Sequence, residues 1–200
     1  MILMKYTKQD GAEYISHIDT LRHIGRTLTR AKIDCSYSKG FNPHKNINLS
    51  STLPLGLKSN SEYCVIYTTE PADSFMQKFN EFSPKGIKCI RAIYTEKKVN
   101  VADLIDGAEY QISGAEDFNE QAFMLCKEKI IEDKRGKQFN VYDRIKCLFK
   151  RDNQLIAHLN FGRNNFRIED FLNAIGYSNA EVIKTAGLIG QDNADKVFFK

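Results

Sequence analysis

Tryptophan is absent from this chain of 200 residues, proline occurs only four times, and long apolar runs are missing. No stretch approaches the roughly 18 apolar residues that a membrane helix needs, so an integral membrane protein is not expected. Residues 1–6 lack the basic region and the long apolar segment of a secretory signal. Cytoplasmic residence, with no membrane partner, is therefore the expectation.

The five cysteines are dispersed, with no CxxC pair and no closely spaced histidine partner. This pattern argues against a disulfide framework, a zinc site and an iron–sulfur site. Most of them fall in apolar or alternating segments, where a free cysteine behaves as a small buried hydrophobe. We therefore expect core positions for Cys35, Cys64, Cys89, Cys126 and Cys147.

Motifs of common enzyme and metal sites are also missing. The sequence contains no Walker loop, no dinucleotide-binding GxGxxG and no GxSxG nucleophile motif. His17, Asp19, His23 and His44 could in principle bind a metal, but no HxxxH or HxH spacing supports it. His17 and His23 also lie on different faces of the predicted helix. No metal or other cofactor is expected.

Charge is unevenly distributed along the chain. The net charge is +4, and residues 1–60 hold nine Lys or Arg against four Asp or Glu. The remaining 140 residues hold 20 basic against 21 acidic side chains. The positive excess therefore lies in the first part of the chain, where a polyanionic partner would bind.

The order of predicted elements indicates an α+β protein. Residues 1–98 read as β-α-β-β-α-β, the order of a ferredoxin-like unit. A polar hinge follows, and the pattern over residues 108–200 predicts the same order again. The second half contains predicted strands at 109–113, 144–150, 155–161 and 181–189, and predicted helices at 119–133 and 168–175. The sequence thus predicts two tandem ferredoxin-like units with antiparallel sheets.

The first predicted helix has two distinct faces. Ser16 and Asp19 have the spacing of an N-cap and its capping-box acid. One face is apolar, with residues three and four apart: Ile18, Leu21, Ile24, Leu28 and Ala31. Arg22, Arg26 and Arg30 repeat every four residues on the opposite face. These arginines either contact phosphates or form a solvated helix face.

The segment Tyr37-Ser-Lys-Gly-Phe-Asn-Pro-His44 concentrates special backbone chemistry. Gly40 can adopt positive φ, and Pro43 forces Asn42 out of the α region, so a rigid loop is predicted. Candidate binding side chains for RNA or another anion are Arg22, Arg26, Arg30, Tyr37, Lys39, Phe41, Asn42 and Lys45, with Phe41 or Tyr37 stacking. Alternatively, the loop is a structural crossover whose polar groups cap neighbouring backbone.

His17 and His44 are candidate catalytic residues. In the predicted unit His17 begins the helix that packs on the sheet which the strand after His44 joins. The two imidazoles could then act as an acid–base pair in metal-independent RNA cleavage. The alternative is that His17 completes a helix turn and His44 caps its loop.

The motifs at 14–19 (Tyr-Ile-Ser-His-Ile-Asp), 37–44 and 53–56 (Leu-Pro-Leu-Gly), with Ser59 and Glu62, resemble the signature of bacterial radical-SAM-linked proteins. Members resemble the C-terminal extension of cobalamin-binding-type radical SAM proteins or are encoded beside them. The resemblance implies an accessory module that works with a radical SAM enzyme. The chain lacks the CxxxCxxC that would hold the radical-generating cluster.

A looser resemblance, at the level of architecture, is to repeat-RNA-processing endonucleases built from paired ferredoxin-like units. It favours RNA binding more than cleavage, because similarity of fold does not transfer chemistry. Three functions therefore stay open: an RNA- or anion-binding accessory protein, a ribonuclease that uses His17 and His44, and a module that recognises only protein.

Overall fold

The computed structural model describes residues 1–133, 136–161 and 164–199. The chain is an α+β protein whose strands pair antiparallel within each of two compact units. The first unit comprises Met1–Leu104 and Asp195–Lys200, and the second comprises Ile105–Ala194. The domain limits expected from the sequence, 1–98 and 108–200, stay a prediction.

The first unit alternates strands and helices in the order expected from the sequence. Its elements are β1 (Ile2–Lys8), α1 (His17–Arg30), β2 (Ile47–Leu49), β3 (Lys58–Ile66), α2 (Ala72–Phe82), β4 (Cys89–Tyr94) and α3 (Val101–Leu104). The strands lie in the order β4-β1-β3-β2. Side chains from one face of β1 and β3 form a core with Ile24 and Leu28 of α1 and with Phe75 and Phe79 of α2.

Helix α1 begins as the sequence predicts. The Ser16 hydroxyl oxygen accepts a hydrogen bond from the backbone N–H of Asp19, and the Ser16 hydroxyl donates to the Asp19 carboxylate. This arrangement satisfies one of the free N–H groups at the helix start. Ile24 and Leu28 are fully buried, but Ile18 is 60% exposed. The inward position predicted for Ile18 is wrong, because the core under α1 begins one turn later.

The C-terminal segment packs on the other face of the first unit's sheet. Side chains alternate along a strand, so Lys5 and Tyr63 point away from the helices α1 and α2. The Asp195 carboxylate binds Lys5 at 2.5 Å and accepts from the Tyr63 hydroxyl at 2.6 Å. The Tyr63 and Phe198 rings meet edge to face at 5.5 Å. These contacts cover β1 and β3 on their second side.

The second unit has the same order of principal elements plus an inserted hairpin. Its elements are β5 (Gly107–Ser113), α4 (Glu120–Leu125), β6 (Ile130–Glu132), β7 (Gln138–Asn140), β8 (Ile145–Arg151), β9 (Gln154–Asn160), α5 (Ile168–Ile175), β10 (Glu181–Ile189) and β11 (Asp192–Asn193). The principal strands lie in the order β10-β5-β9-β8, and β6 pairs only with β7. A sixth helix, α6, spans Ala194–Phe198.

The helix predicted over 119–133 is wrong beyond its first turns. Helix α4 ends at Leu125, and Lys127 adopts a left-handed backbone with φ of 56°. The Asn140 side chain donates to the Lys127 carbonyl and accepts from the Lys129 N–H. These bonds, from a residue more than ten positions away, turn the chain into the β6–β7 hairpin.

No helix among the described residues is both long and apolar enough to cross a membrane.

Candidate functional site

The loop at 37–45 is tied at its base and open at its tip. Tyr37 and Lys45 form an antiparallel bridge, and the Ser38 N–H donates to the His44 carbonyl at 2.8 Å. Gly40 has φ of 134°, a conformation that side-chain-bearing residues rarely adopt. The tip residues at 39–42 are all exposed. The base therefore fixes where the tip projects.

A groove of about 330 Å³ lies between α1 and the base of this loop. We call it the basic groove; its lining residues are Leu21, Arg22, Gly25, Arg26, Thr29, His44, Lys45 and Ile47. A Cβ atom added at Gly25 would lie 3.9 Å from Cδ1 of Ile47. The glycine thus leaves the floor of the groove open at this point.

The basic groove is lined by cations without a facing acid. Arg22, Arg26 and Lys45 line it together with His44, and none of its described lining residues is acidic. Arg22 forms an ion pair with Asp19 at 3.0 Å, but both side chains are about half exposed or more. Such an exposed pair contributes little and can be exchanged for a ligand anion. The groove can therefore attract a phosphate or carboxylate.

Tyr37 positions Lys45. The Lys45 ammonium donates to the Tyr37 hydroxyl at 2.6 Å and lies 4.7 Å from the centroid of its ring. The hydrogen bond and the cation–π contact together restrict a side chain that would otherwise be mobile. Tyr37 is predicted from the sequence as a possible stacking residue, whereas in the structure this ammonium lies over its ring.

His44 is held by Ser38, a partner that the sequence analysis missed. The Ser38 hydroxyl oxygen accepts from the His44 backbone N–H at 3.1 Å and lies 2.9 Å from Nδ1 of the ring. This contact occupies Nδ1, so Nε2 is the ring nitrogen that can meet a ligand in the groove. The only sequence signal was a serine inside the same short loop.

His17 lies in a different environment from His44. It is half-buried at the start of α1 and is not among the residues that line the basic groove. Burial, and secondarily the charge of Lys8, lower the pKa of His17, while the charge of Glu62 opposes them. Lys8 is buried and donates to the Ile15 carbonyl at 2.8 Å. The acid–base pairing of His17 with His44 stays a prediction.

The remaining predicted binding residues divide between the loop tip and α2. Lys39, Phe41 and Asn42 are exposed at the loop tip, and the Phe41 side chain is fully exposed. Arg30 instead donates to the Phe82 carbonyl at 2.9 Å, at the end of α2. The three arginines of α1 therefore differ in position: Arg22 and Arg26 line the basic groove, and Arg30 does not.

The second unit contains a separate carboxylate–histidine pair that the sequence analysis missed. Nε2 of His158 and the Glu109 carboxylate are 2.9 Å apart, and Thr185 donates to the same carboxylate at 2.8 Å. The hydrogen bond to His158 is the main cause that lowers the pKa of Glu109 to about 2. Strand register places the two residues directly opposite each other on β5 and β9. No local sequence pattern could have shown this pairing.

The structure also bears on the cysteines and on metal binding. Cys35, Cys64 and Cys89 are buried as expected, whereas Cys147 is only partly buried and Cys126 is exposed. Within residues 1–133, 136–161 and 164–199, no group of three His, Cys, Asp or Glu is placed to hold a metal ion.

Comparison with known families shows which family the chain belongs to. A family model described as an uncharacterized protein conserved in bacteria (DUF2344) matches residues 1–172. The chain belongs to this bacterial family. The matched residues include α1 and the loop at 37–45, and therefore every residue that lines the basic groove. No curated protein matches the sequence.

Proposed function

We propose that the chain binds RNA through the basic groove, as an accessory protein of a radical SAM enzyme. The observation that carries the binding proposal is the lining of the groove. Arg22, Arg26 and Lys45 converge there with His44, and no described lining residue is acidic. Phosphate contacts of this kind provide most of the affinity for nucleic acid.

The shape of the groove favours a phosphate chain over an isolated ion. Arg22, Arg26 and Thr29 follow one another along α1 at spacings of four and three residues. Residues at these spacings occupy one helix face and extend over about 10 Å of its axis. A polymer with repeated charges can therefore contact several of them at once.

RNA binding without cleavage is better supported than RNA cleavage. His44 lines the basic groove, but His17 is half-buried beside Lys8 and Glu62. A substrate in the groove would meet one imidazole, whereas the ribonuclease hypothesis requires two. Binding without cleavage therefore stands as the main proposal.

Two further parts of the proposal rest on other grounds. The role beside a radical SAM enzyme, in the cytoplasm, rests on the sequence resemblance alone. The ferredoxin-like nature of the two units is supported by strand order. In each unit the first principal strand lies between the third and the fourth, and the second principal strand follows the third.

The binding proposal is tested by reversing the charge of the groove. In fluorescence anisotropy with a labelled RNA oligonucleotide, Arg22→Glu/Arg26→Glu should weaken binding on the order of 100-fold. Both side chains point away from the core, so the circular dichroism spectrum and the unfolding midpoint should stay unchanged.

The matched control is Lys58→Glu/Lys85→Glu, which makes the same change in net charge at exposed positions outside the groove. It should retain most of the affinity. If both double variants weaken binding equally, the protein's net charge and not the basic groove binds the RNA. If the wild-type protein binds no RNA, the proposal is wrong, and a protein-only partner becomes the better explanation.

A further inference from the structure

Phe41 is the most exposed large apolar side chain of the first unit. Its relative exposure is 106%, so its ring contacts nothing else in the described chain, and the other exposed aromatics reach at most 71%. Single exposed apolar side chains are common on protein surfaces and do not by themselves indicate a function. This loop, however, is closed by the Tyr37–Lys45 bridge, and Pro43 follows its tip. The backbone that carries the ring is therefore restrained.

The basic groove lies close to this ring. Phe41 precedes His44 by three residues, so at most about 10 Å of backbone separates the tip from the groove lining. One wall of the groove thus continues into a loop that ends in a free aromatic face. Lys39 is exposed at the same tip. Cations beside an open aromatic ring form the usual surface for unpaired nucleotides.

We propose that the ligand of the basic groove is single-stranded RNA, with an unpaired base stacked on Phe41. This inference rests on the proposed RNA binding and specifies the class of RNA. Phosphates contact Arg22, Arg26 and Lys45, while a neighbouring base leaves its stack and lies against the phenyl ring. A duplex keeps its bases paired inside the helix and offers this ring no base face.

The experiment compares three probes of about 12 nucleotides, a length within the usual site size. They are a single-stranded oligoribonucleotide, the same strand annealed to its complement, and a single strand with abasic positions at its centre. Wild-type protein should bind the first probe about 5- to 150-fold more tightly than the abasic probe, the range for stacking one base. The duplex should bind no better than the abasic strand.

The Phe41→Ala variant should bind the normal and the abasic single strands equally. Since the side chain is fully exposed, the variant should unfold at the wild-type urea midpoint. Tyr94→Ala is the control, because it removes an exposed aromatic of the same unit that does not line the groove. It should keep the preference for the normal strand. A 2-aminopurine at the centre of the strand should be quenched by wild-type protein and not by Phe41→Ala.

The failures of the two proposals are distinguishable. If Arg22→Glu/Arg26→Glu abolishes binding while duplex, abasic and normal strands bind alike, the groove binds phosphates but the stacking inference is wrong. If Phe41→Ala keeps the preference for the normal strand, another residue stacks and the inference is again wrong. If the wild-type protein binds none of the probes, both proposals fail.

Discussion

The first unit contains two sets of cations with opposite surroundings. Lys5 and Lys8 on β1 are buried, and each ammonium has a protein acceptor: Asp195 for Lys5 and the Ile15 carbonyl for Lys8. Arg22, Arg26 and Lys45 line an open groove whose described lining has no acid. Both sets count toward the positive excess of residues 1–60. Their physical roles differ.

Burial decides between these roles. A buried ammonium has lost its hydration and must be compensated by protein acceptors, so its charge is not available to a ligand. A cation in an open groove keeps its hydration until a ligand anion replaces the water. Net charge counted from sequence therefore overstates the binding surface. Of these two sets, only the groove cations should respond to RNA and to salt.

The largest effect on folding is expected from Asp195→Ala. This change removes the acceptor of both Lys5 and the Tyr63 hydroxyl. Leaving a buried ammonium without its carboxylate should lower the free energy of unfolding by about 2 to 3 kcal/mol, because the site is still partly exposed. Urea denaturation followed by circular dichroism measures this loss. RNA affinity at a temperature where the variant is folded should not change.

Glu96→Ala is the control for this comparison, because Glu96 is an exposed acid of the same unit. It should alter stability by less than about 0.5 kcal/mol. A wild-type unfolding curve for Asp195→Ala would mean that the pairing with Lys5 contributes nothing to folding. A loss of RNA affinity in the folded variant would mean that the two sets of cations are not separate.

A smaller effect should distinguish Lys45 from Arg30. Lys45→Ala removes one groove cation and should weaken RNA binding about fourfold at physiological salt, the value of one phosphate contact on a single strand. Arg30→Ala removes an arginine that is bound to the Phe82 carbonyl outside the groove, and it should leave affinity unchanged. Anisotropy titrations at one salt concentration measure both. If the two variants lose RNA affinity equally, Arg30 is part of the binding surface.

The smallest predicted effect concerns pH and His17. Burial and the charge of Lys8 lower the pKa of His17 from its usual value of 6.5, so the folded state binds this proton less readily than the unfolded state. Stability from this group is complete above pH 6.5 and is lost as the pH falls below that value. His17→Gln should make the fall in urea midpoint below that pH shallower. An unchanged slope in His17→Gln would contradict the role of burial.

Local features of the fold could be predicted from the sequence. The Ser16 cap and the buried stripe from Ile24 to Leu28 depend on residues within one or two helix turns. The same holds for the loop at 37–45, whose glycine permits a positive φ and whose proline restricts the backbone directly. For this reason the sequence identified Arg22, Arg26 and Lys45 as candidate ligands for an anion. Their place along one groove became apparent only in the structure.

Features that depend on distant contacts could not be predicted. Asp195 binds a lysine 190 residues away. Asn140 ends the predicted helix at 119–133 from a strand that follows it. Arg30 continues the four-residue spacing of Arg22 and Arg26, but its guanidinium donates to the Phe82 carbonyl at the end of α2. In each case the competing partner is set by packing between elements, which periodicity does not encode.

The dependence of RNA affinity on salt tests the central claim most directly. The claim is that the groove cations, and not the positive excess as a whole, bind phosphate. The slope of log affinity against log salt should be about −2 for wild-type protein, from three cations on a single strand. It should become shallower by about 1.4 in Arg22→Ala/Arg26→Ala and stay unchanged in Lys58→Ala/Lys85→Ala. An unchanged slope in the groove variant, or an equal change in both, would contradict the account.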